Sequence, residues 1–208
     1  MYTILAFGYE FLSEFVPFLI VLMLFRRTQG KYSAPFSKPD YAFPIVFAFY
    51  IMAVFYVTGA GTIYDAMTAK LEDMKDRINL IPFSNKIDVI GYLLNIVMFV
   101  PLGFLVPLIW KRMGKASYII LTGFAFSLLI ETSQLLSYRG TDVDDLILNT
   151  LGAAVGFLLY KAWDNVTKSK YQLDSINTIE LPVYILAIYL GRFLLFHRLG
   201  LIKLIYGY

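Results

Sequence analysis

Residues 117–163 read SYIILTGFAFSLLIETSQLLSYRGTDVDDLILNTLGAAVGFLLYKAW. Two apolar runs, 117–136 and 142–163, flank the connection Ser137-Tyr138-Arg139-Gly140. Each is near the ~20 residues that a helix needs to cross the hydrocarbon of a bilayer. So short a connection makes the two helices antiparallel neighbours. Polar residues are written into both. Glu131 and Gln134 stand three apart, on one helix face. Asp142, Asp145, Asn149, Gly152 and Gly156 follow at spacings of three, four, three and four, one continuous stripe. Its first half is polar. Its second half, Gly152 to Gly156, is a GxxxG pattern that admits another helix at close range, from this chain or from a second protomer.

Four further runs of the same kind lie outside this pair, at 7–25, 41–61, 88–110 and 181–197. The last holds Arg192, so five spans and one interfacial helix is the alternative to six. Composition agrees: of 208 residues, 59% are hydrophobic and only 16% charged. Mean hydropathy is +0.66. A soluble domain carries about a quarter charged residues, and a small one cannot bury this much apolar surface. The expected fold is therefore all-α, a polytopic transmembrane bundle forming one membrane domain over 1–208. The first run lacks a basic leader and ends in Arg26 and Arg27, so it reads as a retained span rather than a cleaved signal.

The second connection carries a different pattern. Ile63, Met67, Leu71, Met74 and Ile78 recur at helical spacing with charged residues between them. That predicts an amphipathic helix over 62–78, lying in the membrane interface or packed on the spans. Ten Lys and Arg fall in the first, third and fifth connections, and seven in the second, the fourth and the tail. By the positive-inside rule the first set is cytoplasmic. Asn95, Glu131, Arg139, Asp142 and Asp145 then converge on the extracytoplasmic face, with 62–78 beside them. Glu10 and Glu14, one turn apart in the first span, lie toward the same face.

Ionisable side chains inside a span cost about 2.5–3.5 kcal/mol each at the helix centre and usually mark function. The candidate ligand-binding set is Asn95, Glu131, Gln134, Arg139, Asp142, Asp145 and Asn149. Asp144 stands apart, because a first-turn carboxylate is accounted for by the helix dipole. Pro101 is expected to kink the third span. The chain has no Cys and a single His, His197, which removes thiolate chemistry, disulfides and two-His metal sites. Basic residues form no massed patch, which argues against nucleic acid.

These residues carry a resemblance. NLIPF at 79–83, NIVMFVPLG at 95–103, ETSQ at 131–134, and Arg139 followed by DVDDLILNTLG at 142–152 together resemble the VanZ-like family, over a core of about 75–160. The family is named for a protein linked to teicoplanin resistance. The resemblance implies a multi-pass protein of the bacterial cytoplasmic membrane and lowered sensitivity to teicoplanin-type lipoglycopeptides. Two functions follow as expectations. In the first, the outer polar site binds or shields an envelope component, a lipid or lipid-linked cell-wall precursor, with Arg139 meeting phosphate or carboxylate. In the second, the chain is an intramembrane enzyme modifying such a lipid, with Glu131 and Asp145 as an acid–base pair. No cofactor or metal is expected under the first; Mg²⁺ on Glu131, Asp142, Asp145 and Asn149 belongs to the second.

Overall fold

In the computed structural model each apolar run becomes a helix. The structure describes residues 2–29, 38–68, 78–84, 88–137, 140–168 and 177–196. The long helices are α1 (Tyr2–Gln29), α2 (Lys38–Thr58), α4 (Val89–Ile109), α5 (Ala116–Leu135) and α6 (Val143–Thr167). Shorter are α3 (Ile63–Thr68) and α7 (Glu180–Leu195). Among the described residues, the five long helices are long and apolar enough to cross a membrane. Their outer faces carry Ile20, Leu24, Leu94, Leu121, Leu128 and Leu158, all exposed. Exposed apolar surface on this scale is what a helix facing lipid carries.

The core is aromatic. Phe18, Phe47, Phe55, Phe99, Trp110 and Tyr184 are fully buried. Trp110 meets Phe47 edge-on at 5.1 Å, and Phe18 meets Tyr184 edge-on at 5.1 Å. Two closely packed helix pairs frame this core, α4 with α6, which run parallel, and α1 with α7, which run antiparallel.

The first pair answers the question left by the GxxxG stripe. A Cβ on Gly152 would stand 2.2 Å from Ile96 O, and one on Gly156 would stand 2.0 Å from Val100 O. On the facing helix, a Cβ on Gly103 would stand 1.9 Å from Ala153 O. Bare glycine faces thus let two backbones touch, the geometry in which small residues make membrane helices associate. The stripe is occupied by α4 of the same chain, not held open for a second protomer. α4 also runs unbroken through Pro101 and Pro107. Close neighbours tolerate proline in such helices by re-satisfying the freed backbone groups.

The second pair holds the last run. α7 has 16 residues, ~24 Å of helix, short of the ~30 Å hydrocarbon thickness. One face is buried, with Leu181, Tyr184, Ile185 and Ile188, and the other, with Leu186, Leu190 and Leu194, is exposed. It packs along α1, where a Cβ on Gly191 would stand 2.2 Å from Ser13 O. Arg192 is thereby a buried partner for α1, as described below.

Of the amphipathic stretch 62–78, Ile63–Thr68 is helical, as α3, and residues 69–77 lie outside the described residues. Ile78 is not helical. Ile78–Asn79 pairs in parallel with Thr141–Asp142, Ile78 beside Thr141 and Asn79 beside Asp142. At Ile78 the helical periodicity of the sequence gives way to backbone pairing.

Candidate functional site

The polar residues gather where α5 hands over to α6. Asp142 is the N-cap of α6, and its Oδ1 accepts from the Asp144 amide at 2.9 Å. The cap also accepts from Asn79 Nδ2, at 3.2 Å to each carboxylate oxygen. That bond ties the chain before α4 to the start of α6. The Asp142 amide donates to Glu131 Oε2 at 3.2 Å, so the last turn of α5 is joined to the same point. Thr141 Oγ1 donates to the Glu131 carbonyl at 3.1 Å. Glu131 is buried, at 4% exposure.

One turn on, Asn95 Nδ2 of α4 donates to Asp145 Oδ1 at 2.5 Å. Asp145 and Asn95 are half-buried. A further turn down, Asn149 Nδ2 donates to Ser127 Oγ at 3.0 Å, fully within the α5–α6 interface. Asn149 Oδ1 is buried without a hydrogen-bond partner among the described residues. Ser127 stands four residues before Glu131 and Asn149 four after Asp145. The polar side chains therefore form a ladder that descends between the helices from the Asn79–Asp142 rung.

Asp144, set apart on sequence as an interfacial carboxylate, belongs to the network. It is 1% exposed. It accepts from the Phe83 amide at 2.7 Å and from Tyr92 Oη at 2.8 Å. Phe83 has φ +53°, a left-handed conformation that a bulky residue adopts at a cost of about 1–2 kcal/mol. The hydrogen bond to a buried carboxylate holds it there. Residues 80–83 are bent away, leaving Leu80, Ile81 and Phe83 exposed beside the polar ladder. In the sequence the first-turn position alone accounts for Asp144, so only the structure shows its partners. Tyr92 and Ser127 carried a usable signal, since they lie three and four residues from Asn95 and Glu131 on the same helix faces.

Four other residues singled out in the sequence remain. Gln134 Nε2 donates to Thr58 O at 2.8 Å, fastening α5 to the end of α2, outside the carboxylate ladder. Arg139 lies outside the described residues. Glu10 and Glu14 do not join the ladder: both accept from Arg192 Nη1, at 2.5 and 2.7 Å. Arg192 Nε donates in turn to Ala60 O at 2.9 Å. At the other end of the same helices, Arg26 pairs with Glu180.

Among the described residues no group of three His, Asp or Glu side chains is placed to hold a metal ion. Hydrogen-bond recognition is what the ladder can perform: several carboxylate oxygens presented by rigid helix ends, beside an exposed apolar patch.

The fold and these residues define a multi-pass α-helical membrane protein with a polar network at one end of its bundle. The chain belongs to the VanZ/LLP1 family, whose model matches residues 47–164. That stretch holds the whole ladder and α2 from Phe47, and leaves out α1 and α7. No curated protein and no solved structure matches the chain.

Proposed function

We propose that this VanZ/LLP1-family protein sits in the bacterial cytoplasmic membrane and binds a lipid or lipid-linked cell-wall precursor at its extracytoplasmic end. By binding or shielding that component it lowers sensitivity to teicoplanin-type lipoglycopeptides. One observation carries the reading: the carboxylate–amide ladder lies directly beside exposed Leu80, Ile81 and Phe83. A ligand with a hydroxyl- and amide-bearing head and an apolar tail meets both surfaces at once. Glu131, Asp142 and Asp145 accept from its donors, Asn95 and Asn79 fix the carboxylates, and the apolar residues face its chain. Arg139, in the connection between α5 and α6, is the group suited to a phosphate on the same ligand. The placement outside the cell rests on the Lys and Arg bias between connections.

The test is to make Glu131→Gln, Arg139→Ala and Asp145→Asn singly and to measure precursor binding and teicoplanin susceptibility at matched protein level. Loss of both in at least one variant is expected. If all three keep binding and protection, the ladder is not the site. Mass spectrometry of envelope lipids with and without the protein separates binding from catalysis. A covalent change that vanishes in Asp145→Asn would replace the binding reading with an enzymatic one.

A further inference from the structure

Between α5 and α7 runs a groove that begins at Met113, at the end of the bundle opposite the ladder. Its volume is about 390 Å³, within the range of roughly 300–1,000 Å³ that small-molecule sites occupy. Phe126, Leu181 and Ile185 form its buried floor. Leu121 of α5 and Leu186 of α7 form its rims, and both are exposed. Thr122, the polar wall residue, spends its hydroxyl on Tyr118 O at 2.8 Å. The groove therefore offers an apolar channel that opens on the lipid-facing side of the bundle.

Cations stand at its mouth. Lys115 is the N-cap of α5. Lys115, Tyr118, Thr122, Ala125 and Leu129 follow at spacings of three, four, three and four, one helical stripe whose last three members line the groove. The Lys115 ammonium lies 6.0 Å over the Tyr118 ring, a cation–π distance. Arg112 adjoins Met113 in the 3₁₀ turn Lys111–Met113. Arg112 and Lys115 are exposed, and among the described residues neither has an ion-pair partner. No acidic side chain lines the groove among the described residues. Glu180, next to the floor residue Leu181, is fully buried and held by Arg26.

Shape and charge together select the occupant. Membrane helices close on small residues, and leucine rims keep the backbone of another helix, about 10–12 Å across with its side chains, away from the floor. An acyl chain is thin enough to lie between them. A headgroup without net charge leaves Arg112 and Lys115 unmatched, whereas an anionic one supplies their counter-charge, and basic residues at a membrane surface draw anionic lipid. We infer that the α5–α7 groove holds an acyl chain of an anionic phospholipid, whose phosphate lies against Arg112 and Lys115. This site is separate from the ladder: Lys115 precedes Glu131 by sixteen residues, ~24 Å of helix.

The probe is dioleoyl phosphatidylglycerol, with dioleoyl phosphatidylcholine as the match without net charge, added to the full chain in a neutral maltoside detergent. Native mass spectrometry reads the bound adducts. Phosphatidylglycerol is expected to bind about tenfold or more tightly, the combined effect of two basic residues at the headgroup. Arg112→Gln with Lys115→Gln is expected to bring it down to the phosphatidylcholine level. Ala125 is exposed on the groove wall, so Ala125→Phe fills the channel without disturbing the core; it is expected to cut phosphatidylglycerol binding about tenfold. Lys161→Gln removes a charge from α6, beside Phe157, and is expected to leave binding unchanged. Equal binding of the two lipids, phosphatidylglycerol binding that survives Ala125→Phe, or a loss in Lys161→Gln as large as in the double variant would overturn the assignment. Dimers that vanish in Ala125→Phe would give the groove to a second copy of the chain instead, and would overturn it too.

Discussion

Arg26 and Glu180 are 154 positions apart and form a two-pronged ion pair, with N···O distances of 2.9 and 3.0 Å. Tyr184 Oη donates to the same carboxylate at 2.6 Å, and Arg26 Nη2 also donates to Asp40 O at 3.1 Å. With Arg192 on Glu10 and Glu14 at the opposite end, α1 and α7 are locked at both ends by buried charge. Each helix alone carries charges that lipid cannot accept; together they neutralise most of them.

Breaking one half of this lock leaves the other half charged and buried. Glu180→Ala is expected to lower stability by about 3–5 kcal/mol. Replacing both partners, Arg26→Leu with Glu180→Leu, removes the stranded charge and recovers most of the loss. Thermal unfolding of the purified protein in detergent, compared across the two singles and the double, measures this. Equal loss in the double and the single variants would show that the pair itself, not the unpaired charge, carries the energy.

Contact between α4 and α6 tolerates no side chain at Gly156. Its Cβ would lie 2.0 Å from a backbone oxygen, which no rotamer change relieves. Gly156→Ala is expected to cost about 1–3 kcal/mol or more through overpacking. Gly8, with nothing within 4 Å, is the control. Gly8→Ala is expected to be neutral, or stabilising by up to about 1 kcal/mol from helix propensity. Melting temperatures of the two variants check both signs.

Asp144 holds the bend at 80–83 through the Phe83 amide and Tyr92. Asp144→Ala is expected to speed amide hydrogen exchange at Phe83 and its neighbours. Tyr92→Phe, which removes one of the two bonds, is expected to do so less. Unchanged exchange at Phe83 in Asp144→Ala would show that the bend is set by its own backbone.

The Asn149–Ser127 rung separates a structural ladder from a binding one. Replacing both buried partners by apolar groups, Asn149→Leu with Ser127→Ala, is expected to be near neutral for stability, because no polar group is left stranded. If the ladder serves ligand binding, the same double variant is expected to weaken it by about tenfold while the melting temperature holds. Binding and melting curves measured on one preparation decide between the two roles.

Much of this was legible along the chain. Apolar run length determined an all-α membrane bundle, because lipid demands that each span satisfy its own backbone. Helical spacing placed Glu131, Asp142, Asp145 and Asn149 on facing stripes, since a period of 3.6 residues is local. The Gly152–Gly156 pattern announced a close helix contact. Tertiary structure alone decided which helix fills it, because a small-residue face specifies a distance and not a partner. It alone brought Asp144 to Phe83 and Tyr92, made Ile78 a strand residue, and moved Gln134 out of the ladder to Thr58. It alone paired Arg26 with Glu180, and Arg192 with Glu10 and Glu14. Charges at the two ends of a chain carry no record of one another in sequence; only the packing of α7 along α1 brings them within reach.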